Sequence, residues 1–428
     1  MLRPILVAGC GRSGKTAFLS LLGSDPAVAV DRFYPYENRY LTYFAKFVLL
    51  MMRREPEPSF PDVDLCLFES STFGPQRWSG RRGSLSDHAV PIPQRHAVWL
   101  QRLWQTFSEE VAQHNPEAVY YTEKAPSWLG PLVLDPLQAE TIYMFRDPRD
   151  VYISANAFIR KRNFYSFGRA EGDTDLDHAR TLAHSFTSYC EEYRMSRHLD
   201  DGLLVRYAEL VNGKEELRLM LERRYGIHAD WEKVDRPERH QTAAGLERSV
   251  NRWQREAIPG GVRRFFEKHL REEMACLGFA AGDATEAYPA VEFRTGALDV
   301  SRMEQSADGA LELRQEYADV TTRGPDFWMT LPFAPFDAAA ASEVWVSLNG
   351  MIGDVCSLFW RARDEGFSED RSIHLQFFPG MHWQVIRFRA AAHALWKGAI
   401  AELRLDVFNV HHRGRIGSGR IRWVRLIE

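Results

Sequence analysis

Apolar positions are unevenly spaced along the chain, and the change in spacing divides it. Through residue 280, short unbroken apolar runs alternate with stretches in which apolar residues recur every three or four positions. "PILVAG" (4–9) predicts a buried strand and "GKTAFLSLLGS" (14–24) the helix after it. "AVYYTEK" (118–124) and "TIYMF" (141–145) predict further strands, and "DVYISANAFIRKR" (150–162) a helix directly after the second. "LLVRY" (203–207) and "KEELRLMLERRYG" (214–226) repeat the strand–helix order. Such alternation predicts an α/β fold: a parallel sheet with helices packed on both faces.

Beyond Gly278 the spacing changes. "AAGDATEAYPA" (280–290) is a linker of mostly small residues. After it come "SEVWVSLNG", "CSLFWRA", "SIHLQFF", "WQVIRFR", "ELRLDVF" and "IRWVRLIE" at close intervals, separated by Gly, Pro and charged turns. That pattern predicts an antiparallel β-sandwich. Two domains are expected, 1–282 and 290–428, with no tandem repeat and no low-complexity tract.

Composition narrows the class. The 428 residues are 45% hydrophobic and 26% charged, an ordinary globular mixture that can bury a core. A formal net charge of −4 argues against a general nucleic-acid binder, so any anion site is local. The run from Ile5 to Gly9 is too short for a signal peptide, and Phe47 to Met52 is too short to span a bilayer. Five scattered cysteines without a C-x-x-C pair point neither to zinc nor to a disulfide framework, and a reducing cytoplasm is the simplest compartment. No membrane-spanning segment is expected; peripheral membrane contact stays open.

Within "GCGRSGKT" (9–16), Gly9, Gly14, Lys15 and Thr16 satisfy G-x-x-x-x-G-K-[ST]. A strand entering a glycine-rich turn and then a helix binds anions because turn amides point inward and the helix N-terminus is partly positive. Gly9, Gly11 and Gly14 remove side chains that would block a phosphate, Lys15 adds a charge, and Ser13 and Thr16 add hydroxyls. The pattern does not name the nucleotide.

A second strand–turn–helix, "TIYMFRDPRDVYIS", places Arg146 at a strand end and Ser154 on the following helix, where both can close on one phosphate. Alternatively, residues 146–150 are a charged surface turn. Here the sequence resembles the sulfotransferases that use 3′-phosphoadenosine 5′-phosphosulfate (PAPS). "GCGRSGKT" is similar to their 5′-phosphosulfate loop through Arg12, Ser13 and Gly14, with Gly11, Lys15 and Thr16 alongside. "RDPRDVYIS" matches every fixed position of their 3′-phosphate segment. "TEKAPSW" resembles the segment beside the acceptor pocket. "LLVRYAELV" resembles the strand end whose tyrosine, here Tyr207, lies near the adenosine. "SVNRWQRE" resembles the late segment that closes over the nucleotide, with Arg252. The resemblance spans residues 1 to about 280. It departs at Lys15, where threonine or serine is usual, at Ala125, and in "YAEL".

The resemblance implies a P-loop sulfotransferase that moves a sulfuryl group from PAPS to a hydroxyl of a carbohydrate or glycolipid acceptor, leaving 3′-phosphoadenosine 5′-phosphate (PAP), with no metal required. The alternative is a P-loop ATP-dependent kinase or NTPase, which needs an acidic metal ligand at a strand end. "TIYMF" ends in Arg146, although Asp147 is adjacent. Lys15 is a catalytic candidate through charge stabilisation. Glu37 is the candidate base, in an aromatic surround that could lift its pKa, and Asp31 is the runner-up. Glu37 could instead pair with Arg39. Glu123 and Lys124, at a strand end, are substrate-side candidates or a simple salt bridge. Arg160, Lys161 and Arg162 form a solvated face or attract an anionic acceptor. His88 and His96 are outside candidates.

The last third resembles the jelly-roll modules of bacterial polysaccharide-modifying enzymes, through the strand Leu403–Arg404–Leu405–Asp406. Six of the twelve tryptophans (328, 345, 360, 383, 396 and 423) lie there, as core or as platforms for sugar rings.

Overall fold

Five of the six residues of the first strand are buried, as an apolar run between two parallel neighbours requires. The computed structural model describes residues 1–31, 36–52, 92–126, 129, 133, 136–197, 202–233, 247–280, 288–324, 326–352, 355–377, 383–409 and 417–428. His88, the ring of His96, most of the linker after residue 280, and Ser127–Trp128 of "TEKAPSW" lie outside the described residues.

The parallel sheet contains β1 (Arg3–Ala8), β2 (Val28–Val30), β3 (Tyr120–Ala125), β4 (Glu140–Phe145) and β5 (Gly202–Arg206), in the order β2-β3-β1-β4-β5. β1 pairs parallel with both β3 and β4. The helices are α1 (Lys15–Leu22), α2 (Tyr40–Met52), α3 (Ile92–His114), α4 (Pro148–Arg162), α5 (Asp175–Arg197), α6 (Tyr207–Asn212), α7 (Lys214–Tyr225), α8 (Gly260–His269) and α9 (Arg271–Cys276). β2, α2, α3, the long α5, α6, α8 and α9 are additions to the elements that the apolar spacing predicted.

The chain falls into two compact units, Met1–Gly9 with Ser13–Met144 and Asp201–Gln241, and Cys10–Arg12 with Phe145–Asp200 and Thr242–Glu428. In the first, Leu6, Tyr121 and Ala125 of the sheet pack against Leu41, Ala45 and Val48 of α2 and against Leu100 and Trp104 of α3. Trp104 is held edge-on to Tyr121 at 5.1 Å, and its Nε1 donates to the Leu2 carbonyl at 2.7 Å. The buried indole thus keeps a hydrogen bond.

In the second unit, every strand pairing after residue 288 is antiparallel. The strands are β6 (Ala290–Glu292), β7 (Gly309–Leu313), β8 (Ala318–Thr322), β9 (Trp328–Leu331), β10 (Phe336–Asp337), β11 (Glu343–Ile352), β12 (Val355–Arg361), β13 (Ser372–Gln376), β14 (Gln384–Phe388), β15 (Ala399–Ile400), β16 (Glu402–Asn409) and β17 (Gly417–Ile427). One sheet runs β14-β11-β17-β8-β7 with β6 also on β17, and the other runs β13-β12-β16-β9. Val344, Val346 and Leu348 share one core with Leu358, Trp360, Leu403, Leu405 and Val407 from the facing sheet. Arg404 and Asp406 alternate with those leucines. Two hydrogen bonds of 2.8 and 2.7 Å join them, with Trp328 and Phe359 under the guanidinium.

The intervening residues of β11 meet α5. Trp345 lies edge-on to His184 at 5.4 Å, and Ser347 Oγ donates to Glu191 at 3.0 Å. Arg422 of β17 also donates to Glu191 at 3.0 Å, and Arg425 reaches Glu273 of α9 at 2.6 Å. Glu191 and Glu273 are fully buried; Glu191 is also paired with Arg194 at 3.2 Å, so loss of Arg425 is the change that strands a carboxylate, Glu273, at a cost of about 3–5 kcal/mol. Trp345, Trp360, Trp383, Trp396 and Trp423 are buried, which makes these five core residues; Trp328 is half-buried.

Candidate functional site

The turn between β1 and α1 departs from ordinary backbone at Gly9 (φ 140°), Arg12 (φ 64°) and Gly14 (φ 102°). A Cβ on Gly9 would sit 2.2 Å from the Met144 carbonyl oxygen, and one on Gly14 would sit 2.5 Å from the Tyr207 ring. Both positions therefore demand glycine for space as well as for conformation. Lys15 opens α1, and its Nζ donates to the Gly9 carbonyl across the turn. Ser13 is buried at 1% exposure, and its Oγ has no hydrogen-bond partner among the described residues. Such an orphaned hydroxyl in a glycine cradle suits an anion. Gly11 is exposed and Thr16 half-buried.

The second segment is not a surface turn. Arg146, Asp147, Pro148, Arg149 and Asp150 are all buried. Asp147 caps α4 by accepting from the Arg149 amide at 2.9 Å, and Pro148 takes the first helical position. Arg146 Nη1 donates to the Arg12 carbonyl at 3.2 Å, and its Nη2 donates to the Ser249 carbonyl at 2.5 Å. Arg12 Nε donates to Ser154 Oγ at 3.1 Å. Its guanidinium also lies 5.0 Å from the Phe158 centroid and 5.6 Å from that of Phe167. Arg12, Arg146 and Ser154, singled out in two motifs, are thus joined directly.

Arg149 was not foreseen. Fully buried, it bonds Asp147 through Nε and Nη2 at 2.9 and 2.7 Å, Glu267 of α8 at 3.2 Å and the Ala280 carbonyl at 2.7 Å, and it lies 3.6 Å from the Trp253 centroid. Phe158 was legible in principle, being four residues past Ser154 on the same helix face. Phe167 carried no sequence signal, and Ser249 was legible only as the first residue of "SVNRWQRE".

Tyr207 opens α6 and is buried with its ring against Gly14, so in this structure it supports the turn. Arg252 is buried and paired with Glu256 through two hydrogen bonds of 2.6 and 2.9 Å. The same hydrogen bonding holds the Glu256 carboxyl below its ordinary range.

The acidic candidates lie in the first unit. Glu123 and Lys124 point to opposite faces of β3, as neighbours on a strand must, and so serve different partners. Glu123 accepts from the Leu41 and Thr42 amides at 2.9 and 3.0 Å, from Thr42 Oγ1 at 2.5 Å and from the Tyr121 hydroxyl at 2.8 Å. It therefore anchors the start of α2. Burial pushes its carboxyl up to about 7, against those hydrogen bonds. Lys124 instead donates to Glu37 at 2.6 Å, and Arg39 donates to the other Glu37 oxygen at 2.5 Å. Asp31 accepts from the Asn38 amide at 3.2 Å, which closes the chain around Glu37. Burial raises the Glu37 carboxyl, but Lys124 and Arg39 outweigh it and the net shift is downward. The expected lift of the Glu37 pKa is thus corrected: two cations, not an apolar surround, set its charge.

Among the described residues no group of three His, Cys, Asp or Glu could hold a metal ion, and no helix is long and apolar enough to cross a membrane. No protein-family model and no curated protein matches the chain. Among solved structures, it is similar to a sulfotransferase domain from the curacin biosynthetic pathway, at 12% identity over 65% of this chain and 99% of that one, TM-score 0.35. It is also similar to retinol dehydratase in complex with androsterone and the inactive cofactor PAP, at 17% identity over 68% and 84% of the two chains, TM-score 0.27. The C-terminal part is similar to a xylan-binding module, CBM86, from Roseburia intestinalis, at 8% identity over 33% of this chain and 97% of that one, TM-score 0.25.

Proposed function

We propose that this chain is a PAPS-dependent sulfotransferase acting on a carbohydrate hydroxyl. The observation that carries the reading is the junction at Arg12. A residue of the first phosphate motif donates to Ser154 of the second, and its carbonyl receives Arg146. A nucleotide phosphorylated at both 5′ and 3′ positions calls for two anion sites, and Arg12, a residue of the first motif, touches the second through Ser154 and Arg146. The buried, unpartnered Ser13 Oγ and the glycine cradle fit the 5′-phosphosulfate. Arg146 and Ser154 fit the 3′-phosphate, with Tyr207 and Arg252 as further contacts to the nucleotide.

In the transfer step the bond from sulfur to the bridging phosphate oxygen breaks as a bond from sulfur to the acceptor oxygen forms. Lys15, Arg12 and the turn amides stabilise the charge gathering on the departing phosphate. The acceptor's proton passes to a carboxylate. Glu37 is the proposed base, ionised at neutral pH as carboxylates ordinarily are and held in that form by Lys124 and Arg39, and Asp31 is the runner-up. Lys124 orients Glu37 through their ion pair, and Glu123 fixes the start of α2 three residues further on. PAP leaves, and no step requires a metal.

The kinase alternative is weakened at Asp147, the acidic candidate next to Arg146 in sequence. That carboxylate caps α4 and accepts three bonds from Arg149. The test is transfer of radiolabelled sulfate from PAPS to a panel of glycans without magnesium, beside ATP with magnesium. Labelled glycan in the first arm supports the reading; phosphorylated product in the second alone overturns it.

A further inference from the structure

The last turn of α4 carries Arg160, Lys161 and Arg162, and the chain then turns at Asn163, whose φ is 48°. The next two residues, Phe164 and Tyr165, are 67% and 50% exposed. Basic residues suit a helix C-terminus, which accounts for the sign of the cluster but not for two adjacent rings in water.

Nor is the turn loose. The Arg169 amide donates to the Ser166 carbonyl at 3.2 Å, the Ala170 amide to Asp173 at 2.7 Å, and the His178 ring meets the Phe167 carbonyl at 3.2 Å. Arg169 also bonds Asn156 of α4. The rings are held outward by a bonded loop, so a partner finds them already ordered. The patch is continuous with the phosphate motifs: Arg162 lies 5.9 Å from the Phe158 centroid, and Arg12 lies 5.0 Å from the same ring.

We propose that this surface binds an anionic stretch of the acceptor, a glycan bearing carboxylate or sulfate groups. The cations of the last turn take the anionic groups, and the two rings take the apolar faces of the sugars. The glycan nature of the partner rests on the sulfotransferase reading; the preference for anions rests on the patch alone.

The test uses the full chain without nucleotide, so that its outcome is separate from that of the sulfotransferase reading. Calorimetry compares hexagalacturonate with neutral cellohexaose, and co-sedimentation uses phosphatidylserine vesicles. Hexagalacturonate is expected to bind at least tenfold more tightly than cellohexaose. The double variant K161Q/R162Q should weaken it about three- to tenfold and flatten its salt dependence. F164S/Y165S should weaken it severalfold without changing the salt dependence. PAP affinity and melting temperature should be unchanged in both variants. Equal binding of the two hexamers, no binding of either, or affinity untouched by both variants overturns the proposal. Binding to the vesicles alone reassigns the surface to a membrane.

Discussion

Arg12 Nε and Ser154 Oγ lie 3.1 Å apart, joining residues 142 positions distant in the chain. The contact orients a guanidinium whose backbone has left-handed geometry, φ 64°, a conformation costly for a non-glycine residue. A tightly held Arg12 is what a preorganised anion site needs. Ser154→Ala removes the acceptor and leaves the aromatic contacts. PAP affinity should fall about three- to tenfold while the melting temperature stays nearly constant, as read by calorimetry and thermal unfolding. A variant that binds PAP as well as the wild type would remove Ser154 from the site.

Lys15 is held by the Gly9 carbonyl at the mouth of the same turn. If it stabilises charge on the departing phosphate, Lys15→Ala should lower sulfuryl transfer by about 10²–10³. Single-turnover rates measured at saturating PAPS check this, since they separate the chemical step from binding. An unchanged rate would take Lys15 out of the mechanism.

Glu37 is bracketed by Lys124 and Arg39, and Asp31 closes the chain beside it. Glu37→Gln keeps the shape and removes the base. Turnover should drop by about 10²-fold or more with PAP affinity unchanged, and Asp31→Asn should cost less. The reverse order moves the base to Asp31, and full activity in both variants leaves the mechanism without either carboxylate.

Histidines whose charged form burial disfavours make stability depend on pH, and His178, His184 and His269 are of this kind. Burial pushes both His178 and His184 down to about 4 from an ordinary 6.5, with His184 held at the Val385 carbonyl. Between these values the unfolded chain binds protons that the folded chain refuses, so stability is full above 6.5 and falls as pH drops toward 4. Glu123, raised by burial from 4.5 to about 7, acts in the opposite sense over its own window. Its contribution falls as pH rises from 4.5 to 7. Denaturant melts from pH 4 to 7 should therefore show a shallower acid loss in His184→Gln and a steeper one in Glu123→Gln. The same slope in all three proteins would contradict these assignments.

Much of the α/β half was legible because a strand–glycine–helix turn leaves local marks: Gly9, Gly14 and Lys15 stand where the turn needs them. The sandwich was legible as a class through its period of two, which puts Val344, Val346 and Leu348 on one face. Its other face was not. Trp345 and Ser347 look like ordinary alternate residues, and only the fold brings them to His184 and Glu191 of α5. Arg149 shows the same limit. Its charge suggested solvent, whereas Asp147, Glu267 and Trp253 bury it completely. Glu37 was chosen by type and place, and its electrostatics depend on Lys124, 87 positions away. Local periodicity and turn chemistry were readable; long-range pairing of charges was not.

One nucleotide carrying a 3′-phosphate should occupy the motifs that meet at Arg12. Calorimetric titration of the full chain with PAP and with 5′-AMP, both without magnesium, tests it most directly, because the two ligands differ only in that phosphate. PAP should bind at least tenfold more tightly than 5′-AMP. Arg146→Ala should weaken PAP about 10–100-fold and leave 5′-AMP nearly unaffected, closing the gap. Equal affinities in the wild-type protein, or tight binding of magnesium-ATP with none of PAP, would contradict the account.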